Sequence, residues 1–192
     1  MIKVAIFASG AGSNAAKIIE HFSKSTTVVI DLIVSNKKEA GVWGIATAHQ
    51  IDTLYINRES FIETDACVKQ LQARGIDFIV LAGFLWKVPE SLINAYPGKI
   101  INIHPALLPN YGGKGMYGMH VHEAVIAAGE KESGITIHYV DAHYDEGDII
   151  FQAKCAVEPT DTPSSLAAKI HVLEHAHFPK VIERLLKELK QD

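Results

Sequence analysis

Short runs of β-branched and other apolar residues alternate along this chain with longer stretches whose apolar positions recur every three or four residues. The first pattern predicts strands and the second helices. Strands are predicted at residues 2–8, 28–35, 53–56, 77–82 and 99–104. Helices are predicted between them at 14–22, 41–49, 61–73 and 89–95, the last opening on Pro89, whose fixed φ suits a first helical turn. The run at 77–82 is apolar without a break, as a parallel strand covered on both faces requires. Such alternation builds a mostly parallel sheet with right-handed crossovers and helices on both faces. Beyond residue 130 the rhythm changes. Runs at 134–140 and 148–157 flank a polar turn and predict an antiparallel addition to the sheet near its C-terminal end. Thr162 then stands as N-cap and Pro163 as first residue of a long helix carrying Leu166, Ile170, Leu173, Val181 and Leu185. Pro179 interrupts this helix and predicts a kink near 175–178.

Composition narrows the class. The chain has 192 residues, of which 48% are apolar and 21% charged, so it can bury a large core and is neither disordered nor fibrous. We find no internal repeat and no linker-like stretch, and expect one domain over residues 1–192. The net charge of −4 argues against nucleic-acid binding, which needs clustered Lys and Arg. A phosphorylated small molecule stays open, because backbone N–H groups hold phosphate with few cations. The apolar opening through Ala8 is too short for a signal peptide, and no run is long enough to span a bilayer. Cys67 and Cys155 suggest no disulfide framework and fit a reducing compartment. A soluble, cytoplasmic protein without nucleic-acid or membrane partners is expected.

Two segments carry candidate chemistry. Ser9-Gly10-Ala11-Gly12-Ser13-Asn14-Ala15 follows the first predicted strand and opens a helix, giving the α/β chain a Rossmann-like start. The loose G-x-G-x-x-A pattern raises a nicotinamide enzyme, but that reading needs an acidic residue at the end of the second strand. Ser35-Asn36-Lys37-Lys38 stands there, and Asp31 comes too early. A site for one phosphate is favoured over a merely capped turn, with Ser13 and Asn14 as added donors. The second segment, Asn102-Ile103-His104-Pro105, puts an amide and an imidazole on one face at a strand's C-terminal end, where open α/β sheets bind ligands. Together they make a credible oxyanion site and proton donor. The acidic turn at 141–148 offers a carboxylate that would raise the His104 pKa and orient its ring.

Five motifs in order complete the picture. Ser9-Gly10-x-Gly12-Ser13-Asn14, Leu81-Ala82-Gly83-Phe84, Asn102-Ile103-His104-Pro105-Ala106-Leu107-Leu108-Pro109, Asp145-x-Gly147 and Glu174-His175-x-x-x-Pro179 run the length of the chain. The set resembles the folate-dependent formyltransferases, in the branch that formylates phosphoribosylglycinamide during purine biosynthesis. The resemblance implies 10-formyltetrahydrofolate as cosubstrate, phosphoribosylglycinamide as acceptor, no metal, and a monomer or weak homodimer. It also implies that Asn102, His104 and Asp145 form the catalytic group. Gly12, Ser13 and Asn14 would bind the phosphate, and Glu174 the ribose or the glycinamide end. Leu85, Trp86, Lys87, Val88, Asn102, Val140 and Asp141 would line the folate pocket, with Arg58 meeting the folate glutamate. Trp86-Lys87 departs from the arginine expected after Leu85, leaving Lys87 to supply that charge. The glycine-rich stretch at 111–120 is longer than expected and is either a flap or a surface loop.

Other readings are weaker. His120-x-His122 and the helical pair His171 and His175 tempt a zinc hypothesis, but a site needs three or four ligands. Formylation of an aminoacyl-tRNA would suit a longer chain with a basic C-terminal domain, and a formyl-folate hydrolase one with an extra N-terminal domain. A nonenzymatic nucleotide sensor would have no use for Asn102, His104 and Asp145 together.

Overall fold

The computed structural model describes residues 1–142 and 145–189. One seven-stranded sheet forms the centre, in the order β3-β2-β1-β4-β5-β6-β7. Its strands are β1 (Ile2–Phe7), β2 (Val28–Ser35), β3 (Asp52–Tyr55), β4 (Phe78–Leu81), β5 (Ile100–His104), β6 (Glu132–Tyr139) and β7 (Ile149–Ala156). β1 to β5 are parallel, while β5, β6 and β7 pair antiparallel, as the change of rhythm after residue 130 predicts. The helices are α1 (Ser13–Phe22), α2 (Val42–Ala48), α3 (Ala66–Ala73), α4 (Glu90–Ala95), α5 (Met119–Ala127) and α6 (Pro163–Glu188).

Alternate side chains of the central strands enter two separate cores. Val4, Ile6, Ile33 and Val80 pack with Ile18 of α1 and Ile170, Phe178 and Ile182 of α6. Ala5, Phe7, Leu32, Val34, Ile79 and Leu81 pack with Leu71 of α3 and Leu92 of α4. Burial on both faces is why these strands read as continuous apolar runs. Among the described residues no helix is long and apolar enough to cross a membrane.

Three local expectations change. The helix predicted over 61–73 is broken: a π-type turn at Glu59–Glu63 ends at extended Thr64, and α3 starts only at Ala66. Polar side chains take backbone partners there, with Thr64 Oγ1 donating to the Glu59 carbonyl and Asn57 and Ser60 bonding each other's backbone N–H. α6 runs through Pro179 as one element of 26 residues, held by burial of Phe178, Pro179, Val181 and Ile182 against the sheet. Its start is as predicted: Thr162 accepts from the Ser165 N–H, and Ser165 Oγ accepts from the Thr162 N–H. α5 has no counterpart in the sequence reading. Its residues are apolar on most sides, so no amphipathic stripe announces it.

The β6–β7 pairing depends on a glycine. A Cβ at Gly134 would overlap the Ala153 carbonyl oxygen of β7 and lie 2.7 Å from Leu107 Cδ2. Gly134→Ala is therefore expected to cost on the order of 1–3 kcal/mol. Urea unfolding of the two proteins measures this, and an unmoved midpoint would mean that the strands shift apart without cost.

Candidate active site

β1 and its neighbours β2 and β4 leave the sheet centre in opposite directions, so their C-terminal ends open a crevice at the point where the strand order reverses. A cleft of about 580 Å³ lies there, reaching from the turn after β1 to the end of β5 and bordered by α5 and α6.

At one end stands the glycine turn. Gly12 has φ +81°, and a Cβ on it would sit 2.8 Å from Val42 Cγ2, so the turn needs glycine here. α1 begins at the next residue, with no side chain capping its first turn and no acidic residue in it. Its free N–H groups and positive dipole end therefore suit an anion. Ser9 fixes the turn to its neighbours: its hydroxyl donates to Asn36 Oδ1 at 2.6 Å and accepts from the Leu85 N–H at 3.0 Å. Asn14 Nδ2 donates to Glu174 Oε2 at 2.9 Å, and His171 Nδ1 lies 2.8 Å from that same oxygen. The bond to Glu174 raises the His171 pKa above its ordinary value.

At the other end, β5 delivers Asn102 and His104, and Asp145 reaches them from the turn before β7. His104 Nε2 is 2.7 Å from the Tyr111 carbonyl, which can only accept, so Nε2 carries the proton. In the neutral ring Nδ1 presents a lone pair to Asp145 Oδ2 at 3.5 Å. An added proton therefore enters between ring and carboxylate. Burial lowers the His104 pKa; Asp145 and the Tyr111 carbonyl pull it upward, as the sequence suggests for Asp145, but do not overcome burial. For Asp145 burial raises the pKa, yet His138, His104 and the Gly113 N–H outweigh it and hold the carboxyl below its ordinary range. The Gly113 N–H donates to Asp145 Oδ2 at 2.9 Å, so the glycine-rich stretch helps to build the site.

His138 on β6, opposite Asn102 in the sheet, is a member of this cluster that sequence reasoning missed. Its Nδ1 is 2.8 Å from the Tyr139 carbonyl and so carries the proton. Nε2 is then an acceptor, 3.1 Å from Asn102 Nδ2, and this sets which way the Asn102 amide points. Thr136, two residues earlier on the same face, bonds the Leu108 N–H and the Ala106 carbonyl, pinning the loop that follows His104. The signal was available: two polar residues spaced by two inside an otherwise apolar strand.

The chain matches the family described as formyl transferase over residues 2–182. It belongs to the formyl transferase family. Among curated relatives, it is 40% identical over 192 residues to the chloroplastic phosphoribosylglycinamide formyltransferase of Arabidopsis thaliana, covering 97% of this chain and 66% of that protein. The cowpea (Vigna unguiculata) relative of the same name is 41% identical, and the chain spans 61% of its length. Phosphoribosylglycinamide formyltransferase of Bacillus subtilis is 37% identical, with 97% of this chain and 95% of that protein aligned. The crystal structure of phosphoribosylglycinamide formyltransferase from Bacillus halodurans superposes with a TM-score of 0.86 at 38% identity, covering 96% of this chain and 95% of that one.

Most residues singled out from the sequence meet in the cleft. Gly12, Ser13, Asn14 and Glu174 line its anion end, and Asn102, His104 and Asp145 the other. Leu85, Trp86, Lys87, Val88, Val140 and Asp141 line the wall beside them, with Trp86 packed 6.0 Å from the Phe61 ring. Arg58 is not brought in. It is exposed and pairs with Glu63 at 3.2 Å, away from the cleft wall where a folate contact was expected. The glycine-rich stretch lines the cleft through Gly113, Lys114, Met116 and Gly118. Of the acidic turn at 141–148, His143 and Tyr144 lie outside the described residues. The histidine pairs do not assemble as ligands: His120 is exposed beside Glu123, His122 is buried, and His171 stacks on His175.

Burial of these histidines predicts acid sensitivity. His104, His122 and His175 have pKa values below the ordinary 6.5. As pH falls past 6.5 the unfolded chain takes up their protons first, so stability drops until the folded values are reached. His171, raised by Glu174, acts in the opposite sense. The melting temperature is expected to fall between pH 7 and 5, and less steeply in His104→Gln. An equal slope in both proteins would place the sensitivity elsewhere.

Proposed function

We propose that this chain transfers the formyl group of 10-formyltetrahydrofolate to the amine of phosphoribosylglycinamide, acting as one cytoplasmic domain in purine biosynthesis. One observation carries the reading: Asn102, His104 and Asp145 meet at one end of a single cleft whose other end is an uncapped helix start beside buried Glu174. The relatives named above bear that activity in their names.

The division of labour follows from the two ends. The phosphate takes the free N–H groups of α1, with the Ser13 hydroxyl as added donor. Glu174 Oε2 is shared by Asn14 and His171, leaving Oε1 for the ribose hydroxyls or the glycinamide end. The amine then lies towards β5. Its nitrogen attacks the formyl carbon, and the carbonyl electron pair moves onto oxygen. Asn102, held by His138, keeps one Nδ2–H for that oxygen. As the carbon–nitrogen bond breaks, the proton shed by the attacking nitrogen passes to the folate nitrogen by way of the His104–Asp145 pair. The apolar wall at 85–88 and Val140 suits a flat heteroaromatic ring.

The test is a spectrophotometric assay with phosphoribosylglycinamide and a 10-formylfolate. Turnover supports the proposal. Absence of turnover, with formyl transfer to another amine in the same assay, would keep the family and overturn the acceptor.

A further inference from the structure

We propose that His122 takes the proton that the acceptor's ammonium must lose before its nitrogen can attack the formyl carbon. This rests on the acceptor being the primary amine proposed above.

His122 lies on α5, is 3% exposed, and lines the cleft. Its Nδ1 is buried without a hydrogen-bond partner among the described residues. Each other imidazole of the cleft has at least one ring nitrogen in a hydrogen bond. His104 gives Nε2 to the Tyr111 carbonyl, His138 uses both nitrogens on Tyr139 and Asn102, and His171 is engaged by Glu174. A buried imidazole with an unused lone pair is a base awaiting a donor.

The reaction supplies that donor. An amine of this kind has a pKa of about 8 and arrives at neutral pH mostly as ammonium, which has no lone pair for attack. Asn102 cannot take a proton. The His104 lone pair points at Asp145 rather than the amine. At His122 the step balances: one N–H bond of the ammonium breaks, its electron pair stays on nitrogen, and the proton forms a bond to the imidazole lone pair. The amine nitrogen is then neutral and forms the bond to the formyl carbon, and the imidazolium releases its proton to solvent afterwards. The charges facing His122 set its tuning. Burial holds it neutral, His171 of α6 and His104 of β5 oppose its charging, and Glu174 of α6 favours it. On its own helix His120 and Glu123 pair with each other at the surface.

The experiment measures kcat/KM for the acceptor at saturating formylfolate from pH 6 to 9.5, in the native chain and in His122→Gln and His122→Asn. At pH 6.5 the variants are expected to be up to about 30-fold slower, because they must draw on the small neutral share of an amine of pKa about 8. The gap should close above pH 9, where the amine arrives neutral. A gap of constant size at every pH, or none at all, overturns the proposal, since a packing role would not track the amine's ionisation. If neither variant folds, ¹⁵N NMR of the native chain decides: saturating acceptor at pH 7 should shift the His122 ring nitrogens as one of them accepts a hydrogen bond from the amine, and unchanged ring nitrogens overturn the proposal. A native chain inactive towards phosphoribosylglycinamide but active on another amine would instead overturn the acceptor assignment.

Discussion

His104→Ala is expected to lower kcat by roughly 10²–10⁴-fold, the usual effect of removing a positioned proton-transfer group. His104 is 3% exposed, ends β5, and is held between the Tyr111 carbonyl and the Asp145 carboxylate. Its removal leaves the other end of the cleft untouched, because Gly12 ends the turn after β1 and Ser13 and Asn14 open α1. KM for the ribonucleotide should therefore change far less than kcat. The single-turnover rate should fall in parallel with kcat, which separates slowed chemistry from slowed release. A parallel rise in KM with unchanged kcat would recast His104 as a binding residue. The same truncation removes a buried side chain, so a melting curve must accompany the kinetics.

Asn102→Ala is expected to cost on the order of 10²–10³-fold in kcat, the scale seen when one oxyanion donor is lost. Asn102 does not titrate, so the loss should be the same across the pH profile, in contrast to that of His122. Asn102→Asp replaces the donor with an acceptor and should be no better than alanine. His138 positions the amide through its Nε2 lone pair, so His138→Phe is expected to reproduce part of the loss while Asn102 remains. Full activity in Asn102→Ala would move oxyanion stabilisation to another group of the cleft.

Much of this site was legible before any fold was known, because the residues that supply it sit at predictable places. The turn after β1 and the end of β5 are strand termini, and a parallel sheet puts its C-terminal strand ends on one edge. Spacing by two residues put Asn102 and His104 on one face of β5. His138 escaped notice because its strand was read only as an edge addition, and its value appears once antiparallel pairing sets it opposite Asn102. His122 escaped because α5 lacks the apolar stripe that marks a surface helix. Arg58 lies outside the cleft lining, where Glu63, five residues on, pairs with its guanidinium.

Local sequence determined the order of strands and helices, the glycine at the head of α1, the capped start of α6 and the pair on β5. Each depends on backbone propensities and periodicities that act within a few residues. The tertiary structure decided what no short segment contains. It brought Asn14 to Glu174, 160 residues apart, set Asp145 behind His104, and left the His122 ring buried with its Nδ1 unpartnered among the described residues. It also overrode local rules, carrying α6 through Pro179 and breaking the helix before Ala66. The reason is common to all of these. Long-range contacts and the desolvation of buried polar groups depend on which surfaces the sheet brings together, and that is a property of the whole chain.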